Sequence, residues 1–131
     1  MLKALEERRR QREEFVDMAR TYADKLRGRL GKLTAIVYGS VSRGDFNLGS
    51  DVDILIISEG LPNHPLERME VLYSCHEPPL EPKGYTHTEF RALLAKRDSA
   101  LAEVLKDSIV VLDDLGLART NQLKEVRKYG S

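Results

Sequence analysis

Residues 39–53 read Gly-Ser-Val-Ser-Arg-Gly-Asp-Phe-Asn-Leu-Gly-Ser-Asp-Val-Asp, and the apolar run Ile54-Leu55-Ile56-Ile57 follows at once. Ten residues separate the Gly-Ser pair from the first aspartate of the Asp-Val-Asp triplet. The continuous apolar run predicts a central strand that is covered on both faces. Because alternate side chains of a strand share a face, Asp51 and Asp53 are expected to point the same way.

The two aspartates indicate a cation site. Aspartate is a poor strand former and is costly to bury without compensation, and two carboxylates on one face repel each other. A hard divalent ion such as Mg²⁺ resolves that cost, since it prefers oxygen ligands and accepts substrate phosphates as further ligands. An Asp-x-Asp pair alone is also common in loops and caps. The neighbouring Gly39-Ser40 turn favours metal binding at Asp51 and Asp53 over a structural role.

The Gly39-Ser40 turn is a candidate phosphate site. Glycine directly after a strand permits a sharp turn and a close approach of phosphate to the backbone. Ser40 offers a hydroxyl and an amide at the start of the next short helix, although the pair alone is more often an ordinary turn with Ser40 as N-cap. No Gly-Lys-Ser/Thr follows, so this is not a Walker A loop. Arg43 could neutralise phosphate or hold the Asp51 loop through a bidentate pair.

A third carboxylate usually completes such a site, and Glu81 is the best candidate. It lies in Pro79-Leu80-Glu81-Pro82, on a short predicted strand that could pair beside residues 52–57. The alternatives are Glu59, Glu77 and Glu89. An exposed charge at a strand end is the competing interpretation of Glu81.

Composition bounds the class of protein. The chain has 131 residues, enough for a single domain (1–131), and 32% of them are charged. Lys and Arg together number 21, as do Asp and Glu, so no global charge recruits nucleic acid or a membrane. Cys75 is the only cysteine, which excludes an intrachain disulfide and favours the cytoplasm. No apolar run approaches the roughly 20 residues of a membrane span.

Strands alternate with helices, which predicts an α/β or α+β fold with a mixed sheet flanked by helices. Within it we expect an N-terminal helical region over 1–31, a core over 33–114 and a polar tail over 115–131. The expected elements are a helix over 1–30, a strand over 33–38, a short helix or turn to about Asp45, a loop over 46–50, a strand over 52–57, a helix from 65 to about 75, a strand over 80–86, a helix capped by Thr88, a helix over 99–107 and a short buried strand within 108–113.

Apolar residues with helical spacing mark one face of the expected helices, among them the first helix and the helix from residue 65. In the first helix, a stripe with a spacing of three and four residues should be buried, whereas the highly charged stretch 6–14 should be solvated or face a partner. Gly28 and Gly31 should end this helix. The helix from residue 65 places Leu66, Met69, Leu72 and Tyr73 on one side. The stripe of the first helix consists of Phe15, Ala19, Tyr22, Ala23, Leu26 and Leu30.

The chain resembles the DNA polymerase beta nucleotidyltransferase superfamily. Gly39-Ser40, ten residues and then Asp51-x-Asp53 match its signature, and the intervening Arg43-Gly44 and Ser50 fit it. The segment from Glu81 to Phe90 is similar to its third acidic strand and next helix. The similarity covers residues 33–114, and the small size resembles the minimal nucleotidyltransferases.

The resemblance implies a site with two Mg²⁺ ions and ATP as the nucleotide donor. Asp51 and Asp53 would hold the metal ions, Glu81 would be the third carboxylate, and all three would be catalytic. Gly39, Ser40, Arg43 and Ser50 would bind the nucleotide.

The resemblance also implies a partner. Larger members of the superfamily carry a further domain that binds the acceptor, whereas only about 17 residues follow Asp114 here. Minimal nucleotidyltransferases resemble antitoxins that pair with HEPN-domain RNase toxins, and some transfer AMP to a toxin tyrosine. The leading expectation is therefore an antitoxin of this type, and both a monomer and an oligomer are compatible with it. A non-catalytic toxin-binding module and a small-molecule or RNA nucleotidyltransferase are the alternatives.

Overall fold

The computed structural model describes residues 2–44, 51–75 and 77–119, together with Leu123. The loop expected over 46–50 and most of the tail expected over 115–131 lie outside these residues. The elements in chain order are α1 (Leu2–Leu30), β1 (Thr34–Tyr38), α2 (Ser40–Arg43), β2 (Val52–Ile57), α3 (Pro65–Tyr73), β3 (Leu80–Tyr85), α4 (His87–Ala95), α5 (Ser99–Leu105) and β4 (Ile109–Asp113).

The four strands form one mixed sheet in the order β3-β2-β1-β4. β1 is antiparallel to both β2 and β4, whereas β2 and β3 are parallel. The expected α+β fold with a mixed sheet, flanking helices and a long N-terminal helix is confirmed. β2 is an inner strand, and its partner β3 lies at the edge of the sheet.

Two apolar layers cover the sheet, one on each face. Ile54 and Ile56 pack into the layer formed with α1 and α3, whereas Leu55 and Ile57 pack into the layer formed with α4 and α5. The burial of all four side chains confirms that β2 is covered on both faces, as its continuous apolar run predicts. Leu117 and Leu123 also lie in the second layer, so these two residues beyond β4 contribute to the core.

Local sequence correctly predicts the buried stripe of α1, in which Ala19, Tyr22 and Leu26 are almost fully buried. The helix continues through Gly28 and ends at Leu30, and Gly31 follows with a positive φ of 80°. Gly28 therefore does not end the helix. Gly31 accommodates the left-handed turn without a steric cost.

Two expectations about the later elements, the N-cap of α4 and the burial of the last strand, were wrong. The N-cap of α4 is Thr86 rather than Thr88, because the Thr86 hydroxyl accepts from the Glu89 N–H while the Glu89 carboxylate accepts from the Thr86 N–H. The expectation for α3 concerned only which residues share a side, and of those four residues only Leu72 is buried. In β4, the fourth strand along the chain, only Val111 is buried, because this strand lies at the other edge of the sheet.

Within the described ranges, none of the helices combines the length and the apolar character that crossing a membrane requires.

Candidate active site

The candidate site lies across three neighbouring strands. Asp53 on β2 is the register partner of Tyr38 on β1 and of Glu81 on β3. Residues that are register partners on adjacent strands project from the same face of a sheet, so these three side chains form a row. The expected pairing of the strand that carries Glu81 with residues 52–57 is confirmed. Parallel pairing over six residues brings Glu81 beside Asp53, although 28 positions separate them in the chain.

Asp51 joins this row from the position just before β2. Asp51 is exposed and lies two residues before Asp53, so in an extended chain the two side chains share a face. Three of the predicted catalytic and metal-binding residues, Asp51, Asp53 and Glu81, are therefore brought together.

The row concentrates negative charge. The charge of Asp51 is the largest cause that raises the pKa of Glu81, followed by desolvation and the charge of Asp53. Burial raises the pKa of Asp53 most, the charge of Asp51 adds to this, and the positive charge of Arg43 acts in the opposite direction. Carboxylates whose ionised forms are disfavoured by neighbouring negative charge, as Asp53 and Glu81 are here, are stabilised when a cation binds beside them.

The fit of a metal ion to this site rests on its donor chemistry. Carboxylate oxygens on one face are the donors that Mg²⁺ prefers. As the side chains stand, no three His, Cys, Asp or Glu residues in the described part of the chain converge closely enough to hold a metal ion. The donor types and their mutual repulsion fit a divalent cation, and its binding requires the carboxylates to turn toward a common point.

Gly39 is packed against Asp53. A Cβ atom added to Gly39 would lie 2.6 Å from the Asp53 Oδ2 atom. The glycine also has a φ of 77° and a ψ of −147°, a conformation that other residues rarely adopt. Two independent constraints therefore require glycine here: the turn out of β1 and the position of the Asp53 carboxylate.

The α2 segment that follows Gly39 is held at its C-terminal end by α1. The Arg12 guanidinium donates from Nε to the Val41 carbonyl at 3.1 Å and from Nη2 to the Ser42 carbonyl at 3.0 Å. The Arg8 side chain donates to the Gly44 carbonyl at 3.4 Å. The charged stretch 6–14 is thus not only a solvated face, because two of its arginines position the segment that carries the predicted nucleotide-binding residues.

The other predicted nucleotide-binding residues, Ser40, Arg43 and Ser50, differ in their burial and in whether the structure describes them. Ser40 is the first residue of α2 and is half-buried, and Arg43 is its last residue and is exposed. The effect of Arg43 on the pKa of Asp53 shows that its charge lies near the carboxylates. Ser50 lies outside the described residues. Both interpretations of Arg43, phosphate binding and contact with the Asp51 loop, stay predictions.

The alternatives to Glu81 have structural partners elsewhere. Glu59 accepts hydrogen bonds from the N–H and hydroxyl of Thr88, near the start of α4. Glu89 belongs to the capping box of α4 and forms an ion pair with Arg68 at 2.8 Å. Glu77 is exposed, and its backbone carbonyl accepts from the Leu80 N–H. Among these candidates, only Glu81 is the register partner of Asp53.

Sequence reasoning did not single out Tyr38. Burial raises the pKa of Tyr38 to about 12, and the charges of Asp53 and Glu81 add to this effect. The phenol therefore stays protonated at neutral pH and is a hydrogen-bond donor beside the carboxylates. Its position immediately before Gly39-Ser40, at the end of a strand, is the signal that could have identified it.

The site is open to solvent. Tyr38, Asp53 and Glu81 line a depression of about 320 Å³ together with four residues of α3 and β3. Those four residues are Met69, Tyr73, Pro82 and Lys83. A depression of this kind leaves room for substrates to approach from solvent.

Comparison with known proteins shows which family this chain belongs to. The model of the nucleotidyltransferase domain family matches residues 19–129, which include every strand of the sheet and all the predicted site residues. Searches of curated proteins and of solved structures found no similar protein. The match extends over well more than half of the chain, so the chain belongs to the nucleotidyltransferase domain family, whose general activity is the transfer of a nucleoside monophosphate.

Proposed function

We propose that this protein is a Mg²⁺-dependent nucleotidyltransferase that transfers AMP from ATP to an acceptor hydroxyl. The observation that carries the proposal is the row of Asp53 and Glu81 on adjacent strands, with the charge of Asp51 close enough to raise the pKa of Glu81. The Gly39 turn packed against Asp53 supports it, because a turn that carries phosphate must lie beside the metal-holding carboxylates.

Each residue has a distinct part in this proposal. Asp51 and Asp53 would hold the divalent cations, with Glu81 as the third carboxylate. Gly39 and Ser40 receive the triphosphate at the turn, and Arg43 neutralises part of its charge. Ser50 would complete the nucleotide contacts.

The reaction forms one bond and breaks one. The acceptor oxygen bonds to the α-phosphorus, the bond from that phosphorus to the bridging oxygen breaks, and pyrophosphate leaves. Glu81 accepts the proton of the acceptor hydroxyl, a role favoured by its raised pKa and its exposure. When bound, divalent cations supply charge neutralisation at the phosphates and lower the pKa of the hydroxyl.

The acceptor that we propose is a tyrosine of a HEPN-domain RNase toxin, which would make the protein a cytoplasmic antitoxin. The openness of the depression at Asp53 and Glu81 supports an acceptor carried by a macromolecule, because a folded partner needs direct access to the carboxylates.

The test is transfer of label from ATP that is radioactive at its α-phosphate. In Mg²⁺ buffer, the wild-type protein should label a HEPN-domain RNase, and ATP labelled at the γ-phosphate should give no labelled protein. We expect Asp53→Asn to lower the rate at least about a hundredfold. Asp107→Asn is the matched control, because Asp107 has a φ of 57° that asparagine tolerates, lies outside the site and should keep full transfer.

Two outcomes would overturn parts of the proposal. Full toxin neutralisation by Asp53→Asn would favour a module that acts by binding alone. Label on a small-molecule antibiotic or on RNA, but never on the RNase, would assign a small-molecule or RNA acceptor.

A further inference from the structure

The apolar side of α3 is exposed next to the candidate site. The exposed fractions of Leu66, Met69 and Tyr73 are 70%, 49% and 38%. Their spacing of three and four residues places them on one face of the helix, which we call the α3 stripe. Large apolar side chains that stay in water together on one helix face indicate an interaction surface.

The α3 stripe is continuous with the candidate site. Met69 and Tyr73 line the same depression as Asp53 and Glu81. Met69 also lines a second depression of about 340 Å³, which extends along α3 and β3 away from the carboxylates. A partner that covered the stripe would therefore reach the row of carboxylates.

The charges that α3 itself exposes beside the stripe are acidic, whereas Lys83 of β3 lines the two neighbouring depressions. Glu67 and Glu70 on α3 are both exposed, and Glu70 is one helical turn from both Leu66 and Tyr73. The basic residue of this helix, Arg68, is turned inward: its side chain is 14% exposed and pairs with Glu89. An occupant of complementary charge therefore carries basic side chains beside its apolar ones.

The edge of the sheet excludes one form of docking. β3 is an edge strand, but Pro82 has no N–H group to offer a further strand. The Gly84 carbonyl already accepts from Arg68 Nη1 at 3.2 Å. An added strand would find this edge blocked, so side-chain packing on the α3 stripe is the available mode, as for a helix laid along a surface.

We propose that the α3 stripe docks the acceptor protein through an amphipathic helix with apolar and basic side chains. This inference rests on the proposed transfer to a protein, and it assigns the surface that holds the acceptor. Docking there places an acceptor hydroxyl near Glu81, while Glu67 and Glu70 pair with basic residues of the partner.

The test measures binding of synthetic helical peptides without nucleotide. Three peptide sets share an apolar face and a tyrosine, and their polar faces are basic, acidic or uncharged. By fluorescence anisotropy, the basic set should bind best, and the double variant Leu66→Ser/Met69→Ser should weaken this binding on the order of tenfold. The control Leu2→Ser/Leu5→Ser changes two exposed leucines of α1 and should bind as the wild type does.

Charge reversal provides a second readout. Glu67→Lys/Glu70→Lys should shift the preference from the basic to the acidic set, and circular dichroism should show that the variant is folded. The variant Asp53→Asn should bind the basic peptides normally while transferring no AMP, which separates failure of docking from failure of catalysis.

Three results would overturn the inference. These are equal binding of all three sets, equal binding by the stripe variant and the wild type, and a dimer of the wild type in analytical ultracentrifugation that the stripe variant abolishes. The last result would show that a second copy of the chain covers the stripe.

Discussion

At Gly39 the backbone and the neighbouring carboxylate impose the same choice of residue. The φ of 77° disfavours any side chain, and an added Cβ would lie 2.6 Å from Asp53 Oδ2. We expect Gly39→Ala to lower the free energy of unfolding by about 1–3 kcal/mol. It should also displace Asp53, so that the rate of AMP transfer falls further than the loss of folded protein explains. Urea unfolding and the transfer assay measure the two effects.

Gly28 provides the matched control for this substitution. It lies inside α1, and a Cβ added there meets no atom within 4 Å. Gly28→Ala should stabilise the protein by about 0.5–1 kcal/mol and leave transfer unchanged. Equal losses of activity in the two alanine variants would contradict the role that we assign to Gly39.

At the scale of elements, α1 both covers one face of the sheet and holds α2. Arg12 donates two hydrogen bonds to carbonyls at the end of α2 and is half-buried. Replacing it removes charged donors from those carbonyls, so Arg12→Met should cost about 1.5–3 kcal/mol of stability. Because α2 carries the predicted phosphate-binding turn, the KM for ATP should also rise.

Arg20→Met is the control for Arg12→Met. The Arg20 guanidinium pairs with Asp17 at 3.0 Å, one turn away on the same exposed face of α1. Exposed ion pairs of this kind contribute little to stability, so Arg20→Met should change the free energy of unfolding by no more than about 0.5 kcal/mol. An unchanged KM for ATP in Arg12→Met, measured by steady-state kinetics, would exclude a positioning role for Arg12.

For the whole molecule, the carboxylate row couples stability to pH and to metal. The pKa of Asp53 is raised in the folded state, so the native protein binds more protons than the unfolded chain between the two pKa values. The Asp53 carboxyl group therefore contributes to the free energy of unfolding at low pH, and this contribution is lost as the pH rises through the pKa that Asp53 has in the folded state. In chelator at about pH 7, Asp53→Asn should raise the Tm by a few °C, a small change because Asp53 is partly solvated.

Adding Mg²⁺ should make the wild type more stable than Asp53→Asn, the opposite of the order of their Tm values in chelator. Mg²⁺ that binds only the native wild type should raise its Tm, and this gain should shrink as pH falls because protons compete for the carboxylates. Differential scanning calorimetry with and without Mg²⁺ measures both effects, with Asp107→Asn as the control. A Tm that Mg²⁺ raises equally in wild type and Asp53→Asn would place the cation elsewhere.

Much of the fold could be predicted from local pattern. The apolar run 54–57 correctly indicates an inner strand, because burial on both faces leaves no place for alternating polar residues. The stripe of α1 follows from its helical spacing. The same spacing occurs in α3, where Leu66 and Met69 share the apolar side and yet lie in water. Spacing identifies the apolar side of a helix but does not determine whether anything covers that side.

The sequence by itself determined that Asp51 and Asp53 share a face beside a glycine turn, since both features depend on neighbours in the chain. Only the tertiary structure decided that Glu81, rather than Glu59 or Glu89, lies beside Asp53. The physical reason is register: parallel pairing of β2 with β3 positions residues that are distant in sequence, and no local propensity encodes which residues face each other across that pair.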